Sequence, residues 1–434
     1  MNPLVLLLGS FFVMIGLRIN IGFALILSSA LVILTEGMPL ASAVNQMYQG
    51  IDSFTLLAVP FFMFLGRILN AGSITNRLLT VADATVGHVR GGLGHVNVFV
   101  SMVFASLSGS GAADTASIGS ILIPAMKKAG YDPAFSVALT AASSTLGVII
   151  PPSIILIIYG AFGNVSIGAL FLGGVVPGIL IGLLMMGYTY ILAIRKGYPA
   201  NPFPGIPAVG VALVKGIAPL MIPVLVLGGI IGGIFTPTEG SIVAVLWALF
   251  LTYVVYRDVP LREFPAMLAR GTIDFAVPLF TVAGAGAFGF LIAYLGAAEI
   301  VTNFILSVTD NRYGILLLLI VFLLLIGMVL NPISAILIFL PIIQSLGNTA
   351  GFDPVHMGVL TVIVLSVGLV TPPYGICLLI ASQIGDVRIG PAMLAAAPIC
   401  GLTIAVAVAS LWFPDLILGM PKYLTPELFQ STGG

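Results

Sequence analysis

Charged residues are scarce in this chain of 434 residues. Asp, Glu, Lys and Arg together make up 7% of it, whereas soluble domains contain about 25%. The 15 basic and 15 acidic residues balance to a formal net charge of zero, which gives no indication of a nucleic-acid partner. No polar stretch is long enough for a separate soluble domain, and 59% of the residues are apolar. The composition therefore predicts an integral membrane protein.

Cysteine and histidine are rare as well. Cys377 and Cys400 lie in apolar segments, so neither a disulfide nor a metal site is indicated. His88, His95 and His356 are dispersed and lack the spacing of metal ligands. An intramembrane protease or lipid transferase needs a nucleophile and base, paired aspartates or metal ligands, and a channel needs a filter motif or a ring of pore-lining residues. The sequence shows none of these patterns, so we expect neither an enzyme nor a channel.

Long apolar runs recur from end to end and predict an all-α polytopic membrane protein; the short alternating strands of a membrane barrel are absent. The first run has no basic region before it, so we expect a membrane helix there rather than a cleaved signal. Spanning segments are predicted at residues 3–17, 19–35, 54–70, 133–162, 168–194, 217–235, 239–256, 275–296, 354–384 and 390–412. Residues 92–128 and 313–346 each read as a helix, a break and a second helix, and we predict two re-entrant helical hairpins there.

Glycine and proline are abundant, with 51 and 28 residues, and many of them interrupt apolar segments. One broken stretch occurs twice, at about 109–180 and 325–401. Residues 130–133 (Gly-Tyr-Asp-Pro) align with residues 351–354 (Gly-Phe-Asp-Pro), and a Pro-Pro pair follows 18 residues later in both copies. Upstream, a shift of four residues aligns Asp114 with Asn331. Paired interruptions in two internal halves are typical of the midplane binding site of a secondary transporter.

Basic residues predict the orientation of the chain, because they collect on the cytoplasmic side. With an external N-terminus, Arg67 reaches the cytoplasmic end of its helix and only Arg312 and Lys422 fall outside. The turn after the first hairpin, which carries Lys127 and Lys128, is then cytoplasmic, whereas residues 345–351 fall outside. The two halves are therefore predicted to form an inverted repeat with two broken helices. The cytoplasmic set contains Arg18, Arg77, Arg90, Lys127, Lys128, Arg195, Lys196, Lys215, Arg257, Arg262, Arg270 and Arg388.

Each predicted break exposes peptide groups that have no helical partner. Carbonyls and hydroxyls suit a hard cation such as sodium, and helix N-termini suit an anionic group. Asp114 lies in the first hairpin, and we favour a helix cap for it over a direct cation ligand. Glu239 is expected in the first turn of a helix, where it interacts with the helix dipole. We also expect the second proline of each pair, Pro152 and Pro373, to occupy the first position of the half-helix that follows.

The two tips, the two breaks and the segment Gly-Ile-Phe-Thr-Pro-Thr-Glu at residues 233–239 together resemble the large membrane subunit of the tripartite ATP-independent periplasmic (TRAP) transporters. The resemblance covers essentially the whole chain. It implies a sodium-coupled carboxylate symporter of the bacterial inner membrane, with an elevator-type transport domain that moves against a scaffold, as in the wider ion transporter superfamily. It implies two partners in addition to the lipid bilayer, namely a small four-helix membrane subunit and a periplasmic substrate-binding protein. C4-dicarboxylates, keto acids, sugar acids and sialic acid are the typical cargoes.

The resemblance also implies a division of the chain. Residues 1–90 and 201–312 would be scaffold, residues 91–200 and 313–412 the two transport-domain repeats, and residues 413–434 a tail, with both termini periplasmic. Two or more sodium ions would be transported, although the Gly-rich residues 108–111 correspond to bulkier residues 325–328, so symmetry alone does not establish a second ion site. The implied sodium-site residues are Ser108, Gly109, Ser110, Gly111, Thr145, Gly147, Gly327, Asn331, Gly368, Thr371 and Pro372. The implied substrate-site residues are Ser110, Asp114, Pro152, Ser153, Asn331, Ser334, Pro373 and Tyr374.

A stand-alone sodium–dicarboxylate symporter of the same superfamily is the alternative, and it would work without a binding protein. The motif at residues 236–239 favours the tripartite assignment. Uptake at full rate without any binding protein would favour the alternative.

Overall fold

The computed structural model describes residues 2–427, and in that part of the chain every regular element is a helix. Short 3₁₀ turns and a π-helical segment at Phe250–Tyr256 accompany the α-helices. The α-helices are α1 Pro3–Gly16, α2 Ile21–Thr35, α3 Leu40–Ile51, α4 Ala58–Ala71, α5 Ile74–Val86, α6 Gly92–Ser108, α7 Gly111–Lys128, α8 Pro133–Ser144, α9 Ile154–Gly163, α10 Ile167–Lys196, α11 Ile206–Ile231, α12 Pro237–Leu249, α13 Phe264–Tyr294, α14 Ala297–Val308, α15 Arg312–Gly327, α16 Pro332–Thr349, α17 Pro354–Gly368, α18 Ile376–Gly385, α19 Ile389–Trp412 and α20 Asp415–Leu424.

Seven helical segments in residues 2–427 are long and apolar enough to cross a membrane. Shorter apolar helices, including both members of the pairs α8 and α9 and α17 and α18, account for other predicted spans. The all-helical fold expected from the sequence is thus confirmed. Four helices were not predicted, namely α3, α5, α14 and α20, because they are short and the apolar pattern alone does not mark them. The predicted tail, 413–434, ends outside the described residues.

Local signals explain where the helices break. Between α6 and α7, Gly109 takes a left-handed conformation (φ 62°) and Ser110 caps α7. Between α15 and α16, Asn331 caps α16, and Pro332 occupies the first helical position, where no N–H is needed. We call residues 108–111 tip 1 and residues 327–331 tip 2.

The other two breaks separate α8 from α9 and α17 from α18. After α8 the chain forms a 3₁₀ turn at Thr145–Val148, passes through the first proline pair, and is capped at α9 by Ser153. After α17 it passes through the second pair and starts α18 after Gly375, which has φ 32°. The half-helices therefore begin after the prolines, so the expectation that Pro152 and Pro373 occupy their first positions is wrong. We call residues 145–153 break 1 and residues 368–375 break 2.

Helix boundaries recur along the chain at a nearly constant interval. Helices α6 to α10 begin at residues 92, 111, 133, 154 and 167, and helices α15 to α19 begin at 312, 332, 354, 376 and 389. The interval is thus 220 to 222 residues throughout. This register aligns Ser110 with Asn331 and Asp114 with Ala335. The shift of four residues that paired Asp114 with Asn331 is therefore wrong.

The two sets of helices pack across each other. Helix α7 contacts both α8 of its own set and α18 of the other, and α16 likewise contacts both α17 and α9. Lys127 on α7 donates from Nζ to the carbonyl of Gly385, the last residue of α18, at 2.7 Å. Gln344 on α16 donates from Nε2 to the carbonyl of Gly163, the last residue of α9, at 2.8 Å. These cross-braces tie each hairpin to the broken helix of the other set.

Helix α13 organises the rest of the molecule. It packs along α2, α3 and α4 and also contacts α16. A Cβ at Gly286 would lie 2.6 Å from the carbonyl oxygen of Gln46, which shows how closely α13 approaches α3. Helix α4 also contacts α6, so α4 borders the first hairpin, whereas α13 contacts α16 of the second.

Candidate functional site

Tip 1 packs directly against break 1. A Cβ at Gly111 would lie 2.9 Å from the carbonyl oxygen of Ser144, and a Cβ at Gly109 would lie 3.0 Å from that of Pro152. From the other side, a Cβ at Gly147 would lie 3.2 Å from the Gly111 nitrogen. Glycine is required at these positions because backbone approaches backbone. The result is a small region in which backbone carbonyls and the N–H groups at helix starts, from tip 1 and break 1, lie close together.

Asp114 lies at the centre of this region and is fully buried. One carboxylate oxygen accepts a hydrogen bond from the Ser108 hydroxyl. The other, Oδ2, has no donor in the described chain, and a Cβ at Gly147 would lie 2.6 Å from it. The helix cap is Ser110, whose Oγ accepts from the Ala113 nitrogen at 3.5 Å, so the expectation that Asp114 caps α7 is wrong. A buried carboxylate oxygen without a donor fits a hard cation, which prefers oxygen ligands.

Break 2 also reaches tip 1. The Cys377 sulfur and a Leu369 methyl group would each lie 3.5 Å from a Cβ at Gly111. The Cys377 nitrogen donates to the Leu369 carbonyl at 2.9 Å, which closes the backbone around the second proline pair. Tip 1 is therefore in contact with both breaks.

Tip 2 packs against break 2. A Cβ at Gly368 would lie 2.2 Å from the Gly327 carbonyl oxygen. The Tyr374 nitrogen donates to the Met328 carbonyl at 2.8 Å. Asn331 caps α16 by accepting from the Ser334 nitrogen at 2.8 Å. The buried Ser334 hydroxyl has no partner in the described chain.

The predicted site residues thus form two groups. Some hydroxyls are already used within their own segments, since Thr145 donates to Ala142, Thr371 to Val367 and Ser153 to Val148. Glu239 was predicted to lie in the first turn of a helix, and the structure confirms this. It forms a capping box with Thr236 at the start of α12, and its side chain is exposed. The group around tip 1 contains Ser108, Gly109, Ser110, Gly111, Asp114, Thr145, Gly147, Pro152 and Ser153. The group around tip 2 contains Gly327, Asn331, Ser334, Gly368, Thr371, Pro372, Pro373 and Tyr374.

A cavity of about 650 Å³ opens beside tip 1. Ser108, Ser110 and Ala113 form its hairpin wall. The opposite wall is made by α4, α13 and the segment before α13. Apolar residues such as Met63 and Met267 form part of it, and its polar and charged residues are Arg67, Asn70, Glu263, Arg270 and Asp274. A solute in this cavity would touch the tip directly.

Sequence reasoning missed the charged wall of this cavity. It placed Arg67 at a cytoplasmic helix end without naming a partner for it. In the structure the guanidinium is paired with Asp274 on α13, with Nε 3.0 Å from Oδ2. Asp274 fell just outside the predicted segment 275–296, whereas α13 begins at Phe264. The available signal was the presence of ionisable residues inside helices that cross a membrane, where such residues mark solute or ion pathways.

Comparison with known proteins identifies the family. The family model described as "Tripartite ATP-independent periplasmic transporter, DctM component" matches residues 8–416. The chain is 37% identical to the sialic acid TRAP transporter large permease protein SiaM of Vibrio cholerae, over 98% of this chain and 100% of that protein. It is 34% identical to the isethionate TRAP transporter permease protein DctMQ of Oleidesulfovibrio alaskensis, over 96% of this chain and 66% of that protein.

A solved transporter shares the fold. The chain superposes on the YdaH transporter of Alcanivorax borkumensis with a TM-score of 0.60, covering 86% of this chain and 87% of that one at 15% identity. The matched relatives are permease subunits and not enzymes. Large permeases of this family work with a small membrane subunit and a periplasmic binding protein. The chain belongs to the DctM family and is a large permease subunit of a TRAP transporter.

Proposed function

We propose that this permease takes up a carboxylate-containing solute across the bacterial inner membrane, coupled to two or more sodium ions. A periplasmic binding protein delivers the solute, and a small four-helix membrane subunit binds the scaffold. Sialic acid and C4-dicarboxylates represent the cargo class. A sodium gradient supplies the driving force, because a cation bound beside the solute ties the movement of one to the other.

The observation that supports this proposal best is the environment of Asp114. Its carboxylate is buried between tip 1 and break 1, and one of its oxygens lacks a donor. An uncompensated buried charge is expensive, and a sodium ion would provide the missing partner. The carbonyl groups of Ser144 and Pro152 lie against the glycines of tip 1 and would be further oxygen ligands for the ion.

Alternating access follows from the two sets of helices. Matched helix starts and the opposite distribution of basic residues support an inverted repeat, with the two hairpins re-entrant and both chain termini periplasmic. The cross-braces from Lys127 and Gln344 support movement of residues 91–200 and 313–412 as one body. Residues 1–90 and 201–312 then form the scaffold of an elevator.

Uptake measurements test the coupling. The permease and its small subunit are reconstituted in proteoliposomes, and the cognate binding protein is loaded with the ligand found by a thermal-shift screen of carboxylates. We expect uptake that requires both an inward sodium gradient and the binding protein. Potassium in place of sodium is the control for ionic strength. Full-rate uptake without the binding protein would instead support a stand-alone symporter, and uptake without sodium would disprove the coupling.

Labelling of single cysteines tests the orientation. Lys128 is the last residue of α7 and Gly351 follows the end of α16, so Lys128→Cys and Gly351→Cys mark the equivalent ends of the two hairpins. We expect an impermeant thiol reagent added outside intact cells to label Gly351→Cys only. Labelling of both from the same side would disprove the inverted repeat.

A further inference from the structure

The cavity beside tip 1 has one wall of charged side chains. Arg67 on α4 pairs with Asp274 on α13, so these two charges largely offset each other. Arg270 lies one turn before Asp274 and lines the same cavity, yet it forms no ion pair within residues 2–427. Glu263 lies seven residues before Arg270, about 10 Å along the helix direction, so it weakens the field of Arg270 without pairing with it.

Close packing holds this wall against the hairpin. A Cβ at Gly271 would lie 2.8 Å from Cδ2 of Phe64 and 3.8 Å from Cδ of Arg67, so these two side chains of α4 pack over the glycine of α13. A Cβ at Gly66, the residue before Arg67, would lie 3.5 Å from Cβ of Ser108 in tip 1. The guanidinium groups therefore lie on a wall that is itself in contact with the tip.

The opposite wall is the start of α7, where Ser110 and Ala113 line the cavity. The N–H groups in the first turn of a helix have no acceptor within the helix. The Ser110 cap accepts from Ala113 only, through a long bond of 3.5 Å, and this end of the helix attracts anions. An anionic group placed between α7 and α13 would thus meet N–H donors on one side and a guanidinium on the other. Guanidinium groups match planar carboxylates and also bind sulfonates through paired hydrogen bonds.

We propose that Arg270, with Arg67 positioned beside it by Asp274, and the N-terminus of α7 form a subsite for the anionic group of the transported solute. This inference rests on the proposed function and names the group that is recognised. Arg67 and Arg270 belong to the proposed scaffold, whereas tip 1 belongs to the proposed moving body. The arginines therefore contact the solute only when the two walls face each other as they do here, and they favour binding from the side to which this cavity opens.

Charge-selective labelling tests the subsite without knowledge of the cargo. Ser110→Cys is introduced in the purified permease complex, and its rate constants are measured with anionic 2-sulfonatoethyl and cationic trimethylammonioethyl methanethiosulfonate. The native cysteines are 0% and 8% exposed, and a protein without the new cysteine gives the background. We expect Arg270→Gln to lower the anionic-to-cationic rate ratio about tenfold, as loss of about 1.4 kcal/mol of attraction would. Arg270→Lys should keep most of the ratio, and Asp274→Asn should raise it.

Arg262→Gln is the matched control, because Arg262 lies in the same segment before α13 but does not line the cavity. Its ratio should equal that of the parent. Ala113→Cys repeats the measurement from a second position on the hairpin wall. An unchanged ratio in Arg270→Gln, or no labelling of either cysteine, would overturn the subsite. A failure of sodium-driven uptake would disprove the proposed function instead, and the labelling result would be independent of it.

Discussion

Tip 1 and tip 2 each connect the two helices of a hairpin. The second helix is capped by a polar residue in both cases, Ser110 in tip 1 and Asn331 in tip 2. Their surroundings differ. Tip 1 borders a cavity, and the buried carboxylate of Asp114 lies beside it in the first turn of α7. The residue that corresponds to Asp114 in the second set is Ala335, which is buried and apolar.

The second tip is held mainly by its backbone. Gly327 and Gly368 approach each other closely, and Tyr374 donates to Met328. The capping hydrogen bond to Asn331 is short, at 2.8 Å, whereas the one to Ser110 is long, at 3.5 Å. The same backbone arrangement thus supports a tight tip in one half and a loosely capped, charged tip in the other. Duplication of a fold has not duplicated the chemistry of the site.

The largest effect is expected where backbone touches backbone. Gly368→Ala places a Cβ against the Gly327 carbonyl, which cannot rotate away, so tip 2 and break 2 must separate. Overpacking of this kind costs about 1–3 kcal/mol, and we expect a lower thermal midpoint and poor recovery of the monodisperse protein. Gly401→Ala on α19 is the control, because a Cβ there meets nothing within 4 Å. Equal midpoints for the two variants would show that tip 2 is not tightly packed.

Asp114→Asn tests the chemistry of tip 1. The side chain keeps its size, so we expect the fold to persist, while sodium binds about tenfold more weakly, because the loss of one charged ligand removes on the order of 1.4 kcal/mol. The measurement is the sodium concentration that gives half-maximal uptake. Asp310→Asn removes an exposed carboxylate between α14 and α15, away from both tips, and controls for the change in charge. An unaltered sodium dependence in Asp114→Asn would place the ion elsewhere.

The two caps should respond in different ways. Asn331→Ala removes a short hydrogen bond and is expected to cost about 1 kcal/mol of stability. Ser110→Ala removes a long one and should cost a few tenths of a kcal/mol, yet it should slow uptake more, because Ser110 faces the cavity. The measurements are the thermal midpoint and the initial uptake rate of each variant. If the variant that is less stable were also the slower one, the caps would have the same role.

Sequence reasoning located the helix breaks well, because glycine, proline and capping residues act locally. The Gly and Pro signals placed both tips and both breaks within a few residues of where the helices end, and residues 133 and 354 begin equivalent helices in the structure as aligned. The same local logic failed for Asp114, since a shift of four residues matched prolines instead of helix starts. The misalignment of four residues, about one helical turn, gave Asp114 the place that Ser110 occupies, and so it identified the wrong residue as the cap of α7.

Long-range pairs could not be read from the sequence. Arg67 and Asp274 are 207 residues apart, and Lys127 and Gly385 are 258 residues apart. No local period marks such pairs, because they arise only when separate helices pack. The charged residues that line the cavity and the two cross-braces are therefore evident only in the folded chain.

The smallest difference between the two halves is expected at the cross-braces, where the halves are most alike. Lys127→Met and Gln344→Met each remove one hydrogen bond to the last carbonyl of a half-helix, and a bond of this kind contributes about 0.5–1.5 kcal/mol. We expect similar, modest decreases in thermal midpoint for the two variants. Lys128→Met is the control, because the Lys128 ammonium donates to no protein group within residues 2–427. A large decrease for one brace and none for the other would mean that the halves differ in how they are held together as well as in the chemistry of their tips.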